Sequence, residues 1–274
     1  MTTPARVLVT NDDGVESEGI AALAAVAHEL GLEVLVAAPA SNVSGVSASL
    51  AGVREEGRLL IEERTFVALP GVKVLAVEAA PAMIVRAGMN GAFGPAPDLV
   101  LSGINDGPNT GHSVLHSGTV GAALTAVTSH CSAVAFSIGI ADKPEGPSGP
   151  LSGGDYRAAV DVARRVIPWA LDARTRSIVT LNVNVPSGPP EIVRGIRAAP
   201  LASFGAVETS IVERAEGHVI LRFEEYDATQ EPETDAALLA DGWTTVTALR
   251  SVSEDTAADL SGLVGSPAPV RPLP

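Results

Sequence analysis

The chain has 274 residues, enough for one large domain or two modest ones. Its apolar fraction of 46% can fill a core, and with aromatics at only 3% that core must be built mostly from Ala, Val, Leu and Ile. The formal charge of -14 argues against a broad face for nucleic-acid polymers and repels anionic substrates at long range, so a bound phosphate ester would need a local compensating charge such as a divalent cation.

In chain order, Arg6–Thr10 is a short β-rich run ending in the polar turn Asn11-Asp12-Asp13-Gly14. A helical pattern follows, with Ile20, Leu23, Val26, Ala27 and Leu30 on one face, and Gly31 stops it. Residues 33–38 form a second strand closed by Pro39, completing a βαβ unit. Residues 40–52 are small and polar and suggest a loop. Residues 53–77 hold short β-like runs with turn signals at Gly57 and Pro70-Gly71, and residues 80–88 look helical. Residues 98–102 form another buried strand, followed by a long Gly-rich loop and a helix over 119–130 that starts at Ser117-Gly118. Residues 133–138 are a further strand.

Residues 139–154, rich in Gly, Pro and Ser, make a surface loop or hinge. Residues 155–171 form an amphipathic helix that Asp155 is placed to cap, and 178–185 a strand ending at Pro186. Four β-like runs follow, at 194–198, 205–213, 218–225 and 243–249. The expectation is one α/β domain over 1–250, with a core to about 190, a β-rich extension over 191–250 and a disordered tail over 251–274. No apolar stretch reaches the roughly 18 residues of a membrane span, and the N-terminus lacks the pattern of a signal peptide. The single cysteine, Cys131, fits a reducing cytoplasm and reads as a small core residue.

Three loops carry the chemistry. Asp12 and Asp13 sit just past the carboxyl end of the first strand, where open α/β sheets bind ligands. Paired carboxylates are costly without a cation, and hard oxygen ligands suit Mg, Mn or Ca; a plain loop with a helix-capping Asp is the competing reading. Ser41-Asn42-Val43-Ser44-Gly45 follows the second strand and offers hydroxyls and an amide to a metal shell or a phosphate, or is a polar turn. The third loop runs from Ser102 through Asn105 and Asn109 to Gly111, then His116-Ser117-Gly118-Thr119. Asn105 can supply a neutral oxygen, while Ser117, Gly118 and Thr119 stand at a helix start, where free N–H groups favour an anion; a long structural loop with a Ser/Thr cap is the competing reading. Carboxylates for a cation beside a helix N-terminus for a phosphate point to metal-assisted phosphoryl chemistry.

These motifs resemble the SurE family of 5'-nucleotidases and phosphatases. The resemblance rests on Val7-Leu8-Val9-Thr10-Asn11-Asp12-Asp13-Gly14, Ala37-Ala38-Pro39 with Ser44-Gly45, Leu101 to Asn109, and Ser117-Gly118-Thr119-Val120. Leu181-Asn182-Val183-Asn184-Val185-Pro186 and Thr234-Asp235-Ala236-Ala237 with Gly242-Trp243 extend it. It implies a Rossmann-like three-layer α/β fold with a mostly parallel sheet, and one divalent cation per subunit on Asp12, Asp13, Ser44 and Asn105. It also implies phosphate contacts from Asn11, Asn109, Ser117, Gly118 and Thr119, catalytic roles for Asp12, Asp13, Asn105 and Ser117, and a homodimer or homotetramer that exchanges C-terminal elements. The implied reaction is hydrolysis of nucleoside 5'-monophosphates.

Two stretches depart from the family pattern. Ala40-Ser41-Asn42-Val43 carries no charge where basic residues are usual, and Ala79-Ala80-Pro81-Ala82-Met83 replaces a Gly-Thr-Pro-Ala-Asp run. Both remove polar groups near the expected pocket, which points toward a specialised phosphate ester and leaves room for a binding protein without turnover. A covalent aspartyl-phosphate enzyme would carry Asp-x-Asp rather than adjacent carboxylates. A dinucleotide enzyme would carry Gly-x-Gly-x-x-Gly in the first turn.

Overall fold

A computed structural model describes residues 4–52, 57–139, 154–203, 207–215, 218–225, 231–255 and 257. Strand β1 (Arg6–Thr10) starts a nine-stranded sheet. Its Val7, Leu8 and Val9 are all fully buried, as a central parallel strand covered on both faces requires. Helix α1 (Glu18–Glu29) follows, burying Ile20, Leu23, Ala24 and Ala27 along one stripe. Full burial of a Leu or Ile side chain stabilises by about 1.5–3 kcal/mol. The next elements are β2 (Glu33–Pro39), β3 (Ile61–Arg64), β4 (Lys73–Val77), α2 (Pro81–Met89), β5 (Leu99–Asn105), α3 (Gly118–Thr128) and β6 (Ser132–Ile138). Helix α4 (Arg157–Ala173), β7 (Thr180–Val185), β8 (Ile196–Ala198), β9 (Val207–Ala215), β10 (His218–Glu225), α5 (Asp235–Ala240) and β11 (Thr244–Leu249) complete the order.

The sheet order is β3-β4-β2-β1-β5-β6-β7-β11-β8. The six strands from β4 to β7 are parallel, β3 is antiparallel at one edge, and β11 joins β7 antiparallel at the other, carrying β8 parallel to itself. One face packs Val7, Val9, Leu101, Phe136 and Val183 under α1 and α4. The other packs Leu8, Val100, Ala133 and Ala135 under α2 and α3. The expected three-layer α/β architecture is therefore what forms. Strands β9 and β10 pair only with each other among the described residues, in a separate two-stranded sheet.

Several boundaries differ from the sequence expectation. Strand β5 runs on to Asn105 instead of ending at Ser102, with its register to β6 slipping between those residues. The long loop after it winds into a 3-10 helix over Gly111–His116. Helix α4 starts at Arg157, and Asp155 still accepts from the Arg157 backbone N–H at 3.1 Å, so the capping bond exists one step further out. Helix α5, too short to show a period, was not foreseen. Residues 53–56 of the β-like region, 140–153 of the expected hinge, and 256 and 258–274 of the expected tail lie outside the described residues. No helix among the described residues is long and apolar enough to cross a membrane.

Candidate active site

From β1 the chain passes to β2 on one side, while β5 lies on the other. The crevice at the carboxyl ends of β1 and β5 is thus the topological switch point of the sheet. Asp12 and Asp13 follow β1 with only Asn11 between and Asn105 ends β5, so both strand ends deliver their polar groups to one place. A cavity of about 310 Å³ opens there, lined by Asp12, Asp13, Ser44, Asn105, Asn109 and Ser117, with Asp106, Ser113 and His116 beside them. No Lys or Arg lines it among the described residues.

Asn11 shapes the first loop from within. It is fully buried; its Nδ2 donates to the Gly14 carbonyl at 3.0 Å and to Ser17 Oγ at 2.7 Å, and its Oδ1 accepts from the Gly14 N–H at 3.2 Å. Those bonds and the left-handed φ of +101° at Gly14 turn the chain sharply and leave Asp12 and Asp13 facing the crevice. Asn11 does not line the cavity itself.

Backbone bonds stitch the three loops together. Val43 N–H donates to the Asp12 carbonyl at 2.8 Å, and Ser47 N–H to the His116 carbonyl at 3.3 Å. Side chains add to this: Asn42 Nδ2 reaches Asp13 Oδ1 at 3.4 Å, while Asn42 Oδ1 accepts from Ser44 Oγ at 2.8 Å. Asn42 therefore ties Ser44 to Asp13, a link that the composition of the loop did not reveal.

The start of α3 receives an anion, and that anion is Asp12. Gly118 N–H donates to Asp12 Oδ2 at 3.1 Å and Thr119 Oγ1 donates to Oδ1 at 2.5 Å. Ser117 caps the helix, its Oγ accepting from Val120 N–H at 3.0 Å. Gly118 and Thr119, expected to contact phosphate, are turned to this carboxylate and do not line the cavity, whereas Ser117 does. The single proton of the Thr119 hydroxyl is committed to Asp12, so Asn105 Oδ1, 3.4 Å away, keeps its lone pairs.

Asn109 is held by groups that sequence reading gave no role. Its backbone N–H donates to Asn184 Oδ1 at 2.8 Å, and its carbonyl accepts from Asn182 at 2.7 Å and Asn184 at 3.0 Å. Its Nδ2 bonds Ser137 Oγ at 2.8 Å. Two buried Asn at i and i+2 of an apolar strand share one face, and that pattern was the available signal. Asp235, also fully buried, accepts from the Gly111 N–H at 2.9 Å, from Ala202 N–H at 2.9 Å and from Ala236 N–H at 2.9 Å. It anchors the start of the 3-10 turn that carries Ser113 and His116. His112, in the same turn, does not line the cavity.

Burial pushes the Asp12 carboxyl above its ordinary value, against the hydrogen bonds from Thr119 and Gly118. Burial, then the neighbouring Asp12 charge, pushes Asp13 up to about 6. Two crowded carboxylates with neutral oxygens on Ser44 and Asn105 form an all-oxygen set that fits a hard divalent cation. Among the described residues no group of three His, Cys, Asp or Glu is placed to share a metal.

A family model described as "Survival protein SurE" matches residues 7–206. A protein of Herpetosiphon aurantiacus named 5'-nucleotidase SurE is 37% identical over 198 residues, covering 71% of each chain. Another of that name, from Cereibacter sphaeroides, is 32% identical over 271 residues, covering 95% of this chain and all of its own. The crystal structure of a SurE protein from Aquifex aeolicus superposes with a TM-score of 0.70 at 28% identity, covering 89% of this chain and 93% of that one.

Proposed function

The chain belongs to the SurE family, and on that premise we propose that it is a divalent-cation-dependent phosphomonoesterase, hydrolysing nucleoside 5'-monophosphates or a related phosphate ester to alcohol and phosphate. Relatives covering most of the chain carry the name 5'-nucleotidase. The observation that carries the reading is convergence: oxygen donors from three successive strand ends line one cavity at the switch point.

Asp12, Asp13, Ser44 and Asn105 would hold one cation (Mg, Mn or Ca) per subunit, which when bound supplies Lewis-acid polarisation of a phosphoryl oxygen and neutralises charge. The remaining work belongs to the chain. Asp12 is held by the Thr119 hydroxyl and the Gly118 N–H, with the Thr119 N–H also donating to it, and it still lines the cavity. Asp13, the less enclosed carboxylate, orients an attacking water. Ser117 Oγ accepts from Val120, which leaves its own proton to donate to a phosphoryl oxygen. Exchanging the amide O and N of Asn109 preserves its bond to Ser137, because a hydroxyl donates as readily as it accepts, and gives the cavity an NH2 donor. Asn11, Gly118 and Thr119 act through Asp12 and the loop rather than on the phosphate. His116, on the cavity wall, would protonate the leaving oxygen.

A cytoplasmic setting and a homodimer or homotetramer belong to the same reading. A lone buried Cys131 needs no oxidising compartment, and the β9–β10 hairpin, which pairs with no other strand among the described residues and exposes Val212 and Ile220, is suited to reach a neighbouring subunit. The test is phosphate release from a broad monoester panel with Mn, with Mg and with chelator, beside Asp12→Ala. Metal-dependent release that the substitution abolishes is expected. Release that survives chelation and Asp12→Ala would sink the reading.

A further inference from the structure

One carboxylate in the cavity has no part in the scheme above. Asp106 follows Asn105 directly and lines the same wall. Its position is fixed twice. Its backbone N–H donates to Asp13, and its carboxylate accepts from the Gly154 backbone N–H. It takes part in no ion pair among the described residues that line the cavity, where His116 is the one side chain able to carry positive charge.

The charge balance around it is simple. Asp12 and Asp13 bring two negative charges, which one divalent cation offsets. Among the described residues the carboxylate of Asp106 is then in excess, and Glu18 adds the same sign near it. The stretch Ala40-Ser41-Asn42-Val43 offers no basic group in compensation. Asp106 shares the cavity with the other two carboxylates, but no three His, Cys, Asp or Glu among the described residues are placed to hold one metal ion, so it stands outside the donor set.

Resting on the phosphatase reading, we propose that Asp106 is a specificity-determining residue: it selects monoesters whose alcohol part is neutral or cationic and rejects those with a second anionic group. The reacting phosphate would be held by coordination to the cation and by the Ser117 hydroxyl, contacts that a second anionic group on the substrate lacks. A further carboxylate or phosphate on the substrate meets the uncompensated Asp106 instead. A like charge several ångströms away, partly screened by water, changes affinity by about two- to tenfold.

The test uses the full-length protein with Mn and two esters that differ by one charge, glycerol 3-phosphate and 3-phosphoglycerate. Asp106→Asn is expected to raise kcat/KM for 3-phosphoglycerate relative to glycerol 3-phosphate by about two- to tenfold. Glu63→Gln, on the exposed edge strand β3, is expected to leave that ratio alone. Asp106→Ala serves as the second variant if the amide destabilises the loop. An unchanged ratio in a folded variant, or the same shift in Glu63→Gln, would overturn the assignment. So would a higher Mn requirement in Asp106→Asn, which would make the residue a ligand. If the unmodified protein released phosphate from no ester, the phosphatase reading itself would fail, and the specificity assignment with it.

Discussion

The backbone N–H of Gly118 donates to Asp12 Oδ2 at 3.1 Å, joining a helix start to a carboxylate 106 residues earlier in the chain. The positive end of α3 is thereby occupied by the Asp12 carboxylate. A Cβ built on Gly118 would lie 2.7 Å from that oxygen and 2.8 Å from Asp12 Cβ. Gly118→Ala should therefore displace the carboxylate while leaving α3 intact. Turnover is expected to fall about 100-fold, the scale of a 1 Å misplacement, with far-UV circular dichroism unchanged. Full turnover in this variant would show that Asp12 tolerates movement.

Thr119→Val removes the hydroxyl from Asp12 without changing volume. A buried carboxylate losing a hydrogen bond costs about 1–3 kcal/mol. The expected result is a lower melting temperature in the metal-free protein and weaker Mn binding, with Thr119→Ser restoring both. Calorimetry with and without Mn reads the two effects separately.

Asp13 gives a pH signature. Its folded-state value, about 6, lies above the ordinary 3.8, so the fold favours the protonated form. That contribution to stability is complete below about pH 3.8 and is lost as the pH rises through about 6. The metal-free protein should thus lose stability across this window, and Asp13→Asn should flatten the loss. Added Mn should raise the melting temperature more at pH 7.5 than at pH 5, because the carboxylate form is the one a cation stabilises. An equal Mn effect at both pH values would contradict the assignment.

Asp235, at the start of α5, accepts from the N–H of Gly111, 124 residues away in sequence and at the start of the turn that carries the wall residues Ser113 and His116. Asp235→Asn presents an NH2 where one of three backbone N–H groups now donates. A stability loss of about 1–3 kcal/mol is expected, with a drop in kcat as the His116 wall loosens. If thermal melts shift but kcat at saturating substrate does not, the residue is structural only.

Asn184 both accepts from and donates to the Asn109 backbone. Asn184→Ala is expected to raise KM severalfold, and to add little further loss in an Asn109→Ala background, because both act through one group. A double-mutant cycle on kcat/KM measures that coupling; strict additivity would separate the two residues.

The central sheet was legible because Val7-Leu8-Val9 and Ala133 to Ile138 are apolar on both faces and bounded by turns. The crevice was legible for the same reason: polar loops after three such strands must open at one edge. What the start of α3 faces was not legible, since a helix N-terminus attracts any anion and only the folded chain brings Asp12 there first. Asp235 and Asn182 were visible as motif letters without a role, because their partners, Gly111 and Asn109, lie in segments far away in sequence. Asn11 looked like a contact residue, and its position directly after β1 gave no sign that its amide would turn inward to Gly14 and Ser17.

The loop after β2 is fastened to its neighbours largely through main-chain atoms: Val43 N–H to the Asp12 carbonyl, and Ser47 N–H to the His116 carbonyl. Main-chain bonds survive most side-chain changes. The exposed positions at 40, 41 and 48 can therefore drift over generations, or be randomised in a library, while the reactive centre keeps its shape. A scaffold wired this way can acquire new substrates by small steps without first giving up its chemistry.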